Sequence, residues 1–166
     1  MKEYIMKNSK QDKMFVEVVT NNKEGFYREA YSYLLNKEDA EDAVSNAILK
    51  AYSKLSELQN VSKMRAWIYR ILINECKDMI RKKSKLKYSD VPITELVMEE
   101  ANDKTDLYEL VCSLESQFKE ITLLFYFENF KIKEIAEILD IPEGTVKSRL
   151  ARSREQLKEM IKTERI

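Results

Sequence analysis

The chain has 166 residues, with 29 basic and 29 acidic side chains, no histidine, two glycines and two prolines. Without histidine there is no Ser-His-Asp triad, no Cys-His pair and no His-ligated zinc or haem site. So few turn-forming residues disfavour a sandwich, a barrel or a Gly-rich phosphate loop, while abundant Lys, Glu, Leu, Ile and Ala predict an all-α fold. Four helices are readable in the first half. The first spans Gln11 to Thr20, and the second runs from Lys23 to Leu35 with Phe26, Ala30, Tyr33 and Leu34 on one side. A third, Lys37 to Leu58, carries the stripe Ala40, Ala43, Val44, Ala47, Ile48, Ala51 and Leu55. The fourth begins near Ser62 and presents Met64, Trp67, Ile68, Ile71, Leu72 and Met79.

Periodicity fails from Ser84 to Asp106, where Pro92, Asn102 and Asp103 interrupt the pattern. This predicts a linker. At about 22 residues it spans at most roughly 70 Å and averages nearer 25 Å as a coil, enough for two modules to reach sites about two DNA turns apart. Helices are expected again at Leu107–Leu114, Gln117–Phe127, Ile132–Leu139 and Pro142–Ile161. The expected organisation is therefore two small helical domains, residues 10–85 and 107–166, joined by residues 86–106. Cys76 and Cys112 lack CxxC spacing, so neither a metal knuckle nor a disulfide scaffold is expected. The N-terminus is not a signal peptide, and the longest largely apolar run, Ile121 to Phe127, is too short to cross a bilayer. A cytoplasmic protein is expected.

The zero net charge conceals segregation. Nine basic residues lie between Lys63 and Lys87 against Glu75 and Asp78, and seven between Lys147 and Arg165 against Glu155, Glu159 and Glu164. Between them, Tyr88 to Glu109 holds seven carboxylates and Lys104. Two basic faces separated by an acidic connector predict two contacts with a polyanion; solvated helix faces give the same pattern.

The sharpest local signal is KIKEIAEILDIPEGTVKSRLARSREQLK, Lys131 to Lys158. Ile132, Ile135, Ala136 and Leu139 form one face of a two-turn helix, Asp140-Ile141-Pro142 breaks it, and Pro at the first position of the next helix needs no amide hydrogen. Val146, Leu150 and Leu157 then point inward, leaving Lys147, Ser148, Ala151, Arg152 and Glu155 outward. Arginine grips a guanine edge with two bonds, whereas Ala and Ser admit thymine methyls and close approach. Arg149 and Arg154 flank that face at positions suited to phosphates. In the fourth helix Arg70, Asn74, Lys77 and Arg81 follow at i, i+4, i+7 and i+11, a polar stripe able to track a nucleic-acid backbone around one base-reading amide. Trp67 and Tyr69 are candidates for stacking on bases, with core packing the default for Trp67. Glu38, Asp39, Glu41 and Asp42 open the third helix, where carboxylates suit the positive end of the dipole or a basic partner. No His, Gly loop or second acidic cluster converges with them, so no catalytic residue, metal, cofactor or small-molecule substrate is expected.

Three stretches carry a family resemblance. NKEDAEDAVSNAILKAY (Asn36–Tyr52) resembles the DAED helix of extracytoplasmic-function sigma factors, the smallest bacterial sigma-70 relatives. MRAWIYRILINECKDMIRKK (Met64–Lys83) is similar to their WLYRI-N-D-R helix, and EIAEILDIPEGTVKSRLARSREQLK (Glu134–Lys158) to their C-terminal helix-turn-helix. The resemblance implies a sigma-2-like and a sigma-4-like domain and no intrinsic catalysis. It implies binding to core RNA polymerase and promoter DNA, a stress or envelope-response regulon, and an anti-sigma partner, often membrane-bound in the family. By match, Asp39, Glu41 and Asp42, followed by Ser45 and Asn46, dock on the polymerase clamp, Asn74 takes a flipped −10 base, and Lys147, Ser148, Ala151 and Arg152 read the −35 element. The sequence departs from the family at Ser45-Asn46, usually Gln-Glu, and at Ile48, commonly Phe. A polymerase-independent helix-turn-helix regulator is the alternative; it would ordinarily require dimerisation, and no zipper heptads are visible.

Overall fold

The computed structural model describes residues 2–86 and 105–164, and among these every element is helical. The all-α expectation holds. The chain divides into two compact units, Met1–Tyr88 and Ser89–Ile166. The expected linker falls mainly on residues 87–104, outside the described residues; helix continues through Leu86 before it and resumes at Thr105 after it.

The first unit is built from α1 (Lys2–Asn21), α2 (Lys23–Leu34), α3 (Lys37–Ser53) and α4 (Met64–Leu86). α1 starts nine residues earlier than its apolar pattern indicates, because Lys2–Lys10 contains helix formers and no breaker but no clear stripe. α2 stops where Leu35 turns left-handed (φ 52°) and its N–H returns to the Tyr31 carbonyl at 2.8 Å. Asn36 then caps α3, accepting the Asp39 N–H at 2.9 Å. α3 ends earlier than expected, at Ser53, and the chain tightens into 3₁₀ turns at Leu55–Glu57 and Val61–Lys63. The Gln11 amide helps this turn, donating to the Leu55 carbonyl at 3.0 Å.

Four alanines of α3 (Ala40, Ala43, Ala47 and Ala51) are buried in a narrow stripe that lets α2 and α4 approach closely. Phe26 of α2 and Met64, Ile68, Tyr69, Leu72, Ile73 and Cys76 of α4 fill the volume they leave. Burial of a side chain such as Phe26 contributes about 1.5–3 kcal/mol. The buried face of α4 is rotated from the expected one. Tyr69, Ile73 and Cys76 are inside, whereas Trp67, Ile71 and Met79 are half-buried.

The second unit contains α5 (Thr105–Cys112), α6 (Ser116–Thr122), a π-helical turn (Leu123–Phe127), α7 (Ile132–Leu139) and α8 (Glu143–Glu164). Val111, Leu114, Phe118 and Leu123 form a core cluster against which Tyr108, Phe127, Leu157 and Met160 pack. At the α6–α8 contact two small hydroxyls, Thr122 and Ser153, are buried and bonded to each other. α7 and α8 are held by Ile135, Ala136, Ile138, Val146 and Leu150, all buried. Ile138 takes the inward place that the sequence pattern assigns to Ile132 and Leu139, which are half-buried. Asp140 ends α7 in the left-handed region (φ 54°), a conformation that Asp tolerates better than most residues. Pro142 stands just outside α8, and its carbonyl accepts the N–H groups of Thr145 at 3.0 Å and Val146 at 3.2 Å.

Candidate nucleic-acid interface

The break between α7 and α8 sets the first two turns of α8 with one face against the core and the other outward. With Val146 and Leu150 buried, Lys147, Ser148, Ala151 and Arg152 are all exposed, and Arg149 is half-buried on one flank. A Cβ built on Gly144 meets no atom within 4 Å, so the entrance of the helix is sterically open. Ser148 donates its hydroxyl to the Thr145 carbonyl at 3.1 Å. Arg154 is exposed but held, with its Nε–H on the Tyr126 hydroxyl. A cationic and small-residue face of this width, on a rigid helix after a tight turn, suits insertion into a DNA groove.

In the first unit Arg70, Asn74 and Arg81 lie exposed along α4, with Lys77 half-buried between them. The Asn74 amide stands in a cationic row, the arrangement needed to fix a backbone and inspect one base. Arg81 is oriented by Asp78, whose carboxylate accepts from its Nη at 3.0 Å. Of the two aromatic candidates for base stacking, Tyr69 is fully buried, packed at 4.8 Å against Phe26 and capped by the Arg65 guanidinium at 5.4 Å. It belongs to the core, and Trp67 is half-buried.

The acidic face of α3 is adjacent in the same unit. Glu41, Asp42, Ser45 and Asn46 are exposed, and half-buried Asp39 is paired with Lys83 of α4. Sequence reasoning missed what organises this face from beneath. Glu75 of α4, only 8% exposed, accepts from the Asn46 amide at 3.3 Å and pairs with Lys50. A carboxylate lying in register with Ile68, Leu72 and Met79 is the signal that reveals such a residue. Glu75→Ala is expected to destabilise the first unit by about 1.5–3 kcal/mol, the range for hydrogen bonds to a charged group. A chemical-denaturation midpoint within error of the unaltered chain would contradict this. Cys76, beside it, is no nucleophile: burial first, then Glu29 and Glu75, push its thiol up to about 12.

Comparison with known proteins follows the same division. Residues 18–86 match sigma-70 region 2, and residues 104–157 match sigma-70 region 4. RNA polymerase sigma factor SigV of Bacillus subtilis is 36% identical over 143 residues, covering 84% of this chain and 86% of that protein. The chain belongs to the extracytoplasmic-function sigma factors of the sigma-70 family. ECF RNA polymerase sigma factor SigW of Bacillus subtilis is 30% identical over 175 residues, covering 95% of this chain and 93% of that one. Among solved structures, sigma factor RpoE of Bartonella quintana, in complex with the anti-sigma factor NepR, superposes with a TM-score of 0.75 at 26% identity over 98% of both chains. This sigma factor is thus an alternative RNA polymerase sigma factor that works with core RNA polymerase on promoter DNA. Sigma factors are not enzymes. The polymerase-independent regulator is not favoured. No helix among the described residues is long and apolar enough to cross a membrane.

Proposed function

We propose a division of labour within this sigma factor. The exposed face of α3 (Asp39, Glu41, Asp42, Ser45 and Asn46) docks on core RNA polymerase. The α4 stripe (Arg70, Asn74, Lys77 and Arg81) captures the melted −10 element, and α8 reads duplex −35 DNA through Lys147, Ser148, Ala151 and Arg152, with Arg149 and Arg154 on phosphates. The observation that carries this reading is the outward row of Lys147, Ser148, Ala151 and Arg152 over a helix whose Val146 and Leu150 are sealed in the core. Polymerase docking supplies what each small module lacks alone. Two weak DNA contacts fixed on one scaffold act as an intramolecular pair, whereas the free chain, with no net charge, has little long-range attraction to steer it to DNA. The regulon is a stress or envelope response, the protein works in the cytoplasm, and an anti-sigma factor restrains it. The likeness to a sigma factor solved with its anti-sigma partner supports that last role.

Asn74→Ala tests the assignment. In reconstituted holoenzyme it is expected to cost about 1–3 kcal/mol of selectivity among −10 variants, the range for one mismatched position, and nothing among −35 variants. Equal loss at both elements would contradict the division between α4 and α8.

A further inference from the structure

The π-helical turn Leu123–Phe127 sets two aromatic side chains against one arginine of α8. Successive residues of an α-helix point about 100° apart; a π turn narrows that angle, and such turns concentrate at functional sites. Phe125 and Tyr126 meet edge to face at 4.9 Å with their planes 82° apart. The guanidinium carbon of Arg154 lies 5.9 Å from the Phe125 ring centre and 5.7 Å from that of Tyr126, within cation–π range. Its Nε–H donates to the Tyr126 hydroxyl. Arg154 is exposed and Tyr126 is 46% exposed, so the pair lies at the surface. Among the described residues no acceptor takes the Nη hydrogens, the edge with which arginine meets an oxyanion.

Arg154 also lies in line with outward residues of α8. Lys147, Ala151 and Arg154 follow at i, i+4 and i+7, one flank of the helix about 10 Å long. We propose that Tyr126, outside the helix-turn-helix, belongs to the −35 interface as a positioning residue: it holds the Arg154 guanidinium so that the Nη edge meets a DNA phosphate beside the bases read by α8. An unheld arginine freezes several torsions on binding, and one already stacked and bonded has fewer to lose. The inference rests on the reading of α8 as the −35 helix. Tyrosine acts here through arginine, and the contact carries no base information.

The experiment compares holoenzymes carrying Tyr126→Phe, Arg154→Ala and both changes. The probes are a promoter fragment recovered by transcript start mapping and the same fragment with its upstream element scrambled. Tyr126→Phe keeps the ring and removes the hydroxyl; it is expected to weaken binding about 3- to 10-fold, equally on both fragments. Arg154→Ala is expected to lower the slope of log affinity against log salt by about one phosphate contact. The double variant should bind like Arg154→Ala alone. Unaltered affinity in Tyr126→Phe overturns the proposal. So does a Tyr126→Phe loss that persists in full when Arg154 is already Ala, the result expected of a packing role, with melting temperatures checking the fold. No preference of the unaltered holoenzyme for the intact upstream element would instead sink the −35 reading on which the proposal stands.

Discussion

Leu150→Ala is expected to destabilise the second unit by about 2–5 kcal/mol, the range for removing a fully buried leucine and leaving a cavity. Leu150 is 1% exposed and is held with buried Val146 under the face that carries Ala151 and Arg152. The unit around it is small, and domains of this size rest on a few kilocalories of net stability. The substitution is therefore expected to abolish the upstream-element recognition proposed for α8 without touching any of its outward residues. The first unit, whose core of Phe26, Tyr69, Leu72 and the α3 alanines is built from its own helices, should keep its unfolding transition. Denaturation followed by amide exchange separates the two. A loss below about 1 kcal/mol would mean that Leu150 is not packed as its burial indicates.

Arg152→Ala should have the opposite signature. Its side chain is exposed on α8, clear of the core, so stability is expected to change by less than about 0.5 kcal/mol. Promoter discrimination should fall by about 1–3 kcal/mol at one base pair of the −35 element, the worth of a bidentate arginine–base contact. Binding assays across single-position variants of that element, at fixed salt, read this directly. Uniform weakening at all positions would make Arg152 a phosphate contact, and unchanged preference would remove it from base readout. The pair of substitutions on one helix distinguishes the residues that hold α8 from those that read with it.

What the sequence made legible follows from the range of the interactions involved. The bounds of α7 are readable to the residue, although Ile138 rather than Ile132 or Leu139 completes its buried face, and the outward row of α8 follows from Val146 and Leu150 by simple register. The N-terminal half of α1 is not readable, since propensity without a stripe leaves no pattern to read. The α4 face is ambiguous in the sequence by a fraction of a turn: an apolar stripe containing Trp67, Ile71 and Met79 competes with one containing Tyr69, Ile73 and Cys76. The alanine stripe of α3 against which α4 packs decides between them. Glu75 and Tyr126 were missed for different reasons. Glu75 reaches across to α3, where its partners Lys50 and Asn46 lie 25 and 29 residues away in sequence. Tyr126 lies in a π turn, where the 3.6-residue register no longer tells which side chains share a face.

This protein acts on promoters through core RNA polymerase, and one reconstitution tests that most directly. Core polymerase is incubated with fragmented genomic DNA from the source bacterium, with and without the protein, and transcript 5′ ends are mapped. The predicted result is a set of new starts that share two upstream elements and appear only when both proteins are present. No new starts, no binding to polymerase, and a footprint on naked DNA from the protein alone would contradict it.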